Sequence, residues 1–284
     1  MNRLRAHAKI NLALVVGAPR ADGKHEVVTV LQRISLADTV ALSAGERLSV
    51  SGFPDDTIVT EALRALAAVA GVEPGWAVEI EKAVPVAAGL GGGSSDAAAA
   101  LRLANDLLLE PLSAVHLAEL AATIGADVPF FLNHGPQLGA GDGTVLAPVD
   151  LPSDYWIALV HPSSVVKSST GEVYRAFDLR DGARGFAERR ETLLAALATV
   201  RRPQDLAALP ANDLASSPVS EALREAGAFR ADVSGAGPCV YGLFGDRGRA
   251  EAAAEALATE GPTWIASPVG NADATGLAAS TVGA

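Results

Sequence analysis

The chain has 284 residues, 49% of them hydrophobic, and its 33 aspartates and glutamates outnumber 22 lysines and arginines to give a formal net charge of −11. That length suits two domains, or one large one, whose cores need no covalent staples, and the acidic balance argues against general affinity for nucleic acid or acidic membranes. The single cysteine, Cys239, excludes an intrachain disulfide, argues against a cysteine zinc site and fits a reducing cytoplasm, and no stretch approaches the ~20 apolar residues of a membrane helix.

Residues 3–16 alternate, with Leu4, Ala6, Ala8, Ile10, Leu12, Leu14 and Val16 on one side, which predicts a strand with one buried face. Lys9 and Asn11 project from the other side, about 7 Å apart along the strand. On their own they read as part of a solvated face. Arg3, Arg5 and Lys9 ahead of the apolar run give a faint likeness to a leader peptide, against which stand Asn11 inside the run and Pro19 just after the best cleavage position. Asp22-Gly23 marks a turn, and His25 after it reads as a capping or surface histidine. Strands are predicted at Val27–Leu31, Thr39–Leu42, Leu48–Ser51 and 76–81, and a helix at Thr57–Ala70 ended by Gly71.

The next segment organises the chain. Gly89-Leu90-Gly91-Gly92-Gly93-Ser94-Ser95-Asp96 runs into an alanine-rich helix predicted from Ser95 to Leu108. Glycines let a backbone close on a ligand and turn its N–H groups inward. A helix N-terminus adds free donors and the positive end of a dipole, so the pair makes an anion cradle. It reads as the triphosphate site of a nucleotide-dependent enzyme. It is not a Walker A loop, because no lysine follows Gly93, and not a Rossmann fingerprint, because Ser94 stands where the third glycine belongs. The protein-kinase motifs are also missing. A flexible loop capped by Ser95 or Asp96 is the plain alternative.

Ser113–Ile124 is a second predicted helix, stopped by Gly125. Asp127 then leaves a helix end, and Pro129 is expected to push Val128 into an extended shape. Such a carboxylate can act as a general base, although in isolation it reads first as a turn aspartate. Gly139–Gly143 is another glycine-rich turn, and Pro148–Asp154 a boundary dividing domains 1–153 and 154–284. Tyr155–Val160 reads as a strand, Glu172–Phe177 as part core and part pocket, and Phe186–Val200 as an amphipathic helix. A helix around 220–226, a loop at Ser234–Cys239 entering a strand at Val240–Phe244, a helix at 249–259 and a strand at Thr263–Ala266 follow. The tail from Val269 is small and polar, as disordered tails are. Cys239 lacks a basic neighbour and reads as a buried small hydrophobe.

Three separated motifs, Ala8-Lys9-Ile10-Asn11-Leu12, Gly89 to Ser95 and Ser234-Gly235-Ala236-Gly237, together resemble the GHMP kinase superfamily of small-molecule kinases. Arg20-Ala21-Asp22-Gly23-x-His25 and Gly125-Ala126-Asp127-Val128-Pro129 are similar to its branch whose acceptor is a methylerythritol linked to cytidine diphosphate, in nonmevalonate isoprenoid synthesis. The resemblance covers nearly the whole chain. It implies a two-domain α+β fold, an N-terminal ribosomal-S5-like domain and a C-terminal ferredoxin-like domain, with the site between them. It implies ATP, Mg²⁺ without assigned ligands (Ser94, Ser95 and Asp96 being candidates) and a small-molecule acceptor; the acidic charge and the lack of an apolar span lead to no nucleic-acid or membrane partner, the lone cysteine to a cytoplasmic location, and a monomer or weak homodimer is expected. By the resemblance Asp127 is the catalytic base and Lys9 the cation beside it. Pro85, Val86, Ala87, Ala88, Gly89, Leu90, Gly91, Gly92, Gly93, Ser94 and Ser95 wrap ATP, and Asn11, Lys24, His25 and Tyr174 hold the acceptor. The family carries tyrosine where this chain has Lys24. That predicts weaker cytidine recognition, or compensation by an aromatic such as Tyr174. A GHMP kinase for homoserine or a sugar, and a catalytically silent sensor on the same fold, are the competing readings.

Overall fold

A computed structural model describes residues 1–53, 57–165 and 169–270. It is built on one long hairpin, β1 (Asn2–Pro19) and β2 (His25–Ala44), paired antiparallel along nearly its whole length. The two short strands expected within β2 are one strand of 20 residues. Its length lets it pair with β1 along one edge and with two further strands along the other. After β3 (Ser49–Ser51) and α1 (Ile58–Ala70), β4 (Trp76–Glu81) joins that edge at Thr39–Ala44. Then come α2 (Gly92–Asn105), α3 (Ala114–Ile124), α4 (Val128–Leu132), β5 (Gln137–Ala140) and β6 (Val145–Pro148). β5 joins β2 at Thr29–Leu31, and the sheet order is β3-β4-β2-β5-β6 with β1 on the far side of β2.

The rest of the chain supplies β7 (Trp156–Val160), α5 (Thr170–Leu179), α6 (Phe186–Thr199), a 3-10 turn at Pro203–Ala208, α7 (Pro218–Glu225), β8 (Arg230–Val233), β9 (Val240–Phe244), α8 (Arg247–Ala256) and β10 (Thr263–Ala266). Its four strands form an antiparallel sheet in the order β10-β7-β9-β8. The fold is α+β with two sheets.

One core packs Leu63 and Leu66 of α1 and the alanines of α2 against β2 and β4. A second joins Ile10, Leu12 and Val30 of the hairpin to Tyr155, Ile157, Tyr241 and Leu243 of the four-stranded sheet. Full burial of a side chain such as Ile10 or Leu12 contributes about 1.5–3 kcal/mol each. This shared core clamps the two sheets together and leaves a cleft at its edge.

Several expectations change. Lys9 and Asn11 are buried rather than solvated, because the glycine loop and the Ser234–Gly237 turn fold over them, while Arg3 and Arg5 stay exposed. Bulges between His7 and Lys9 and between Asn11 and Ala13 break the strict alternation. α2 starts at Gly92, three residues early, with Gly91 at its N-cap and no side chain capping it, so neither Ser95 nor Asp96 plays that part. Val128 is helical, not extended: Asp127 is the N-cap of α4, and Pro129 sits in the first turn, where its missing N–H costs nothing. α5, β5, β6 and β8 were not anticipated. α5 does carry a signature, since Ser169 and Glu172 form a reciprocal capping box. The boundary at 148–154 falls between the last strand of one sheet and the first of the other. The tail beyond Gly270 lies outside the described residues.

Candidate active site

Two cavities meet at the glycine loop. The larger, about 700 Å³, is lined by Lys9, Asn11, Lys24, His25, Asp127 and Tyr174 among others. The smaller, about 300 Å³, lies against Pro85, Val86, Ala87, Ala88 and the loop as far as Ser94. Ala87, Gly89, Gly91 and Ser94 border both. The loop is therefore a wall shared by the two cavities.

Its conformation is tightly determined. Gly89 and Gly91 have φ of +81° and +70°, and Ala87, with a side chain, is held at +63°. A Cβ on Gly89 would lie 2.2 Å from the Ser234 carbonyl oxygen. That closeness follows from two bonds: Ser234 Oγ donates to the Gly89 carbonyl at 2.8 Å and the Cys239 N–H to the Ala88 carbonyl at 3.0 Å. From the other side the Lys9 N–H donates to the Leu90 carbonyl at 2.9 Å. A Cβ on Gly91 would meet the Phe131 ring at 2.9 Å and Lys9 Cγ at 3.2 Å. The three motifs thus converge on one loop, and α2 begins there with its first donors uncapped by any side chain. Leu90 and Ser95 turn inward and are buried, while Ser94 stays partly exposed.

Lys9 Nζ donates to Asn11 Oδ1 at 2.6 Å and lies 3.7 Å from Asp127 Oδ2. Asn11 Nδ2 donates in turn to Thr29 Oγ1 at 2.8 Å, and Thr29 to the Ala13 carbonyl at 2.8 Å. The Lys9 side chain is 4% exposed and that of Asp127 43%, so a fixed cation lies behind an acidic side chain open to the cavity.

At the far end of the large cavity His25 does not cap anything. Its Nε2 lies 2.8 Å from Asp178 Oδ1, and its ring stacks on Tyr174 with centroids 4.6 Å apart and an interplanar angle of 33°. Phe177 meets it edge-on at 6.1 Å and is core. Burial and then the Asp127 charge push the Tyr174 phenol up to about 12. Lys24 turns away from this stack and donates to Asp142 Oδ2 at 2.6 Å.

The chain matches the GHMP kinases N terminal domain over residues 57–135 and the GHMP kinases C terminal domain over 187–263. The 4-diphosphocytidyl-2-C-methyl-D-erythritol kinase of Geobacter metallireducens is 37% identical over 279 residues, covering 92% of this chain and 95% of that protein. The enzyme of the same name from Gloeobacter violaceus is 39% identical over 275 residues, covering 91% and 90%. A crystal structure of 4-(cytidine 5'-diphospho)-2C-methyl-D-erythritol kinase superposes with a TM-score of 0.76 at 31% identity, covering 94% of this chain and 99% of that one. The chain belongs to the 4-diphosphocytidyl-2-C-methyl-D-erythritol kinase family of GHMP kinases. A crystal structure of mevalonate kinase shares the fold, with a TM-score of 0.72 at 13% identity.

One cluster in this family member was not legible from its sequence. Lys82 Nζ reaches Asp38 Oδ2 at 2.5 Å and Asp96 Oδ2 at 2.8 Å under the small cavity. Asp38 Oδ1 also accepts the N–H groups of Ala83 and Val84, which fixes the chain entering the glycine loop. Burial and the Asp38 charge raise the Asp96 carboxyl to about 7, against the pull of Lys82. The only sequence signal was a lysine three residues before Pro85.

Proposed function

We propose that this chain is an ATP-dependent kinase that phosphorylates the 2-hydroxyl of 4-diphosphocytidyl-2-C-methyl-D-erythritol, in the nonmevalonate route to isoprenoids. The observation that carries the reading is the Lys9–Asp127 pair, 3.7 Å apart, beside a glycine loop that borders two cavities. The names and identities of the relatives support this acceptor over homoserine or a sugar. Retention of both Lys9 and Asp127 speaks against a silent sensor.

In this reading ATP occupies the small cavity, with its phosphates on the loop Pro85–Ser95 and the start of α2. The acceptor fills the large one. Asp127 takes the proton from the hydroxyl as the bond to phosphorus forms. Lys9, held by Asn11, offsets the negative charge that develops there. The buried tether from Thr29 through Asn11 means that this charge needs no reorganisation during the reaction. No covalent phosphoenzyme is required. His25 and Tyr174 bind the cytosine end, Tyr174 standing in for the tyrosine absent at position 24. Residues 1–153 form the nucleotide-binding domain, and 154–284 complete the acceptor cavity.

The donors suit Mg²⁺, which takes oxygen ligands and keeps several waters. The Ser94 hydroxyl borders both cavities, whereas Ser95 is buried. Asp96 is unsuited, being 1% exposed and engaged by Lys82. Among the described residues no group of three histidine, cysteine or acidic side chains forms a cage of its own, so ATP phosphates would complete the shell. The ion would neutralise phosphate charge and help orient the transferred group.

The experiment is ADP release from Mg·ATP with diphosphocytidyl-methylerythritol as acceptor, with homoserine and galactose as comparison acceptors. Turnover of ~1–100 s⁻¹ with the first alone is expected. A folded, ATP-binding protein that turns over another acceptor, or none, overturns the reading.

A further inference from the structure

A third cavity, about 280 Å³, shares no lining residue with the other two. It lies among β1, β2, α2 and the chain at Ser267–Val269. Arg5, His7, Arg33 and Arg102 line it, and no described lining residue is a carboxylate. In a chain of net charge −11, three arginines around one cavity without a counter-charge among the described residues need an explanation.

Arg33 is 4% exposed. One terminal nitrogen, Nη2, donates to the carbonyls of Phe130, Phe131 and Asn133 at 3.3, 3.1 and 2.8 Å. Its guanidinium carbon lies 5.6 and 5.9 Å from the Phe130 and Phe131 ring centroids. Its Nε is buried without a hydrogen-bond partner among the described residues. A buried donor on a charged group is costly to leave unmade. Arg102 stands close enough that its charge, after burial, lowers Arg33 to about 10, and burial with both arginines lowers His134. Neither arginine forms an ion pair among the described residues.

We propose that this cavity is an oxyanion site that takes a phosphate dianion, free or as the monoester end of a small metabolite, with Arg33 and Arg102 as its charged donors and His7 at its wall. Guanidinium donors match tetrahedral oxyanions in charge and in planar fork geometry. The volume holds a phosphate and several waters at ~30 Å³ each. It falls just short of the ~300–1,000 Å³ of sites that enclose a larger ligand. Arg33 also grips the last carbonyls of α4, the helix that Asp127 begins. The site is thus one short helix away from the candidate base, on a wall the reaction does not use.

The test is a titration followed at the histidine ring resonances, of which the chain has five. A non-hydrolysable ATP analogue is added to saturation so that the glycine loop is filled. Orthophosphate is one arm and glycerol 3-phosphate the other. A saturable shift of His7 in either arm is expected, and the arm with the tighter midpoint identifies the source. In Arg102→Met the midpoint should weaken at least tenfold, while nucleotide binding and melting temperature stay as in the wild type. Arg33→Met should lose the response too, but with lower stability, so Arg102→Met decides. No shift in either arm, or an equal shift in Arg102→Met, overturns the proposal. The readout needs no turnover, so it is separate from the fate of the kinase reading.

Discussion

Lys9 Nζ lies 3.7 Å from Asp127 Oδ2, within reach of charge attraction but beyond a good hydrogen bond. The stronger bond of that ammonium is to Asn11, at 2.6 Å. In the proposed mechanism Asp127 therefore keeps its lone pairs for an incoming hydroxyl. Asp127→Asn should lower kcat by about 10²–10⁴-fold, the usual worth of a general base. KM for ATP should change little, and the melting temperature should hold, because the Asp127 side chain is 43% exposed. Single-turnover kinetics and thermal unfolding of the same preparation check this. A variant that keeps wild-type kcat would remove Asp127 from the mechanism.

Asn11→Leu tests the tether. Asn11 is 5% exposed and links Lys9 to Thr29. Its loss leaves a buried ammonium short of its nearest acceptor, which should cost about 1–3 kcal/mol in urea unfolding. Turnover should fall as well, since Lys9 is no longer aimed. Wild-type stability with reduced turnover would mean that Asn11 serves only the acceptor.

The glycine loop gives a comparison with a built-in control. Gly89→Ala combines φ of +81° with a Cβ 2.2 Å from the Ser234 oxygen. Backbone strain alone is worth about 1–3 kcal/mol, and the clash must also force the Ser234 turn away. A raised KM for ATP and a lower melting temperature are expected. Gly71→Ala, at φ +67° with nothing within 4 Å, should lose stability only, at the end of α1. Equal kinetics in the two variants would contradict a nucleotide role for the loop.

Lys24 predicts a pH effect. Burial raises the Asp142 carboxyl, but hydrogen bonds from Lys24 and Thr144 outweigh it and hold the group at about 2. A depressed carboxyl stabilises the fold above its ordinary value of ~3.9, and that stability is lost as pH falls through about 2. Lys24→Met should therefore be less stable at pH 7 by under ~1 kcal/mol, a small figure because Lys24 is 53% exposed. The gap should close below about pH 2. Urea unfolding at both ends of that range measures it, and a gap independent of pH would rule out the ion pair as its cause.

Position 24 also bears on recognition. Lys24 has its ammonium on Asp142, so in the proposed reading Tyr174 and His25 are the rings that receive the cytosine. Lys24→Tyr should lower the acceptor KM, because stacking on an added ring is worth roughly 1–3 kcal/mol per base. An unchanged KM would mean that Tyr174 already supplies the whole stack.

What the sequence determined by itself was local. The run Gly89–Ser95 into an alanine-rich helix announces a tight turn feeding a helix start, because backbone freedom and helix termini are properties of neighbouring residues. Period two put Lys9 and Asn11 on one side of β1, and Gly71 ended α1, for the same reason. Even the missed helix α5 carried a local cap at Ser169 and Glu172. Tertiary structure decided the rest. Lys9 and Asn11 are buried because segments near positions 90 and 235 close over them, which alternation within one strand does not report. Lys82 meets Asp38 and Asp96 across 44 and 14 residues of sequence, and Arg33 meets the end of α4 across about 100. His25 reaches Asp178 across 153. Periodicity and propensity act over a turn or two of chain. The charge pairs, and the cavity whose described charged lining is all arginine, exist only once packing removes water from between segments that are distant in sequence.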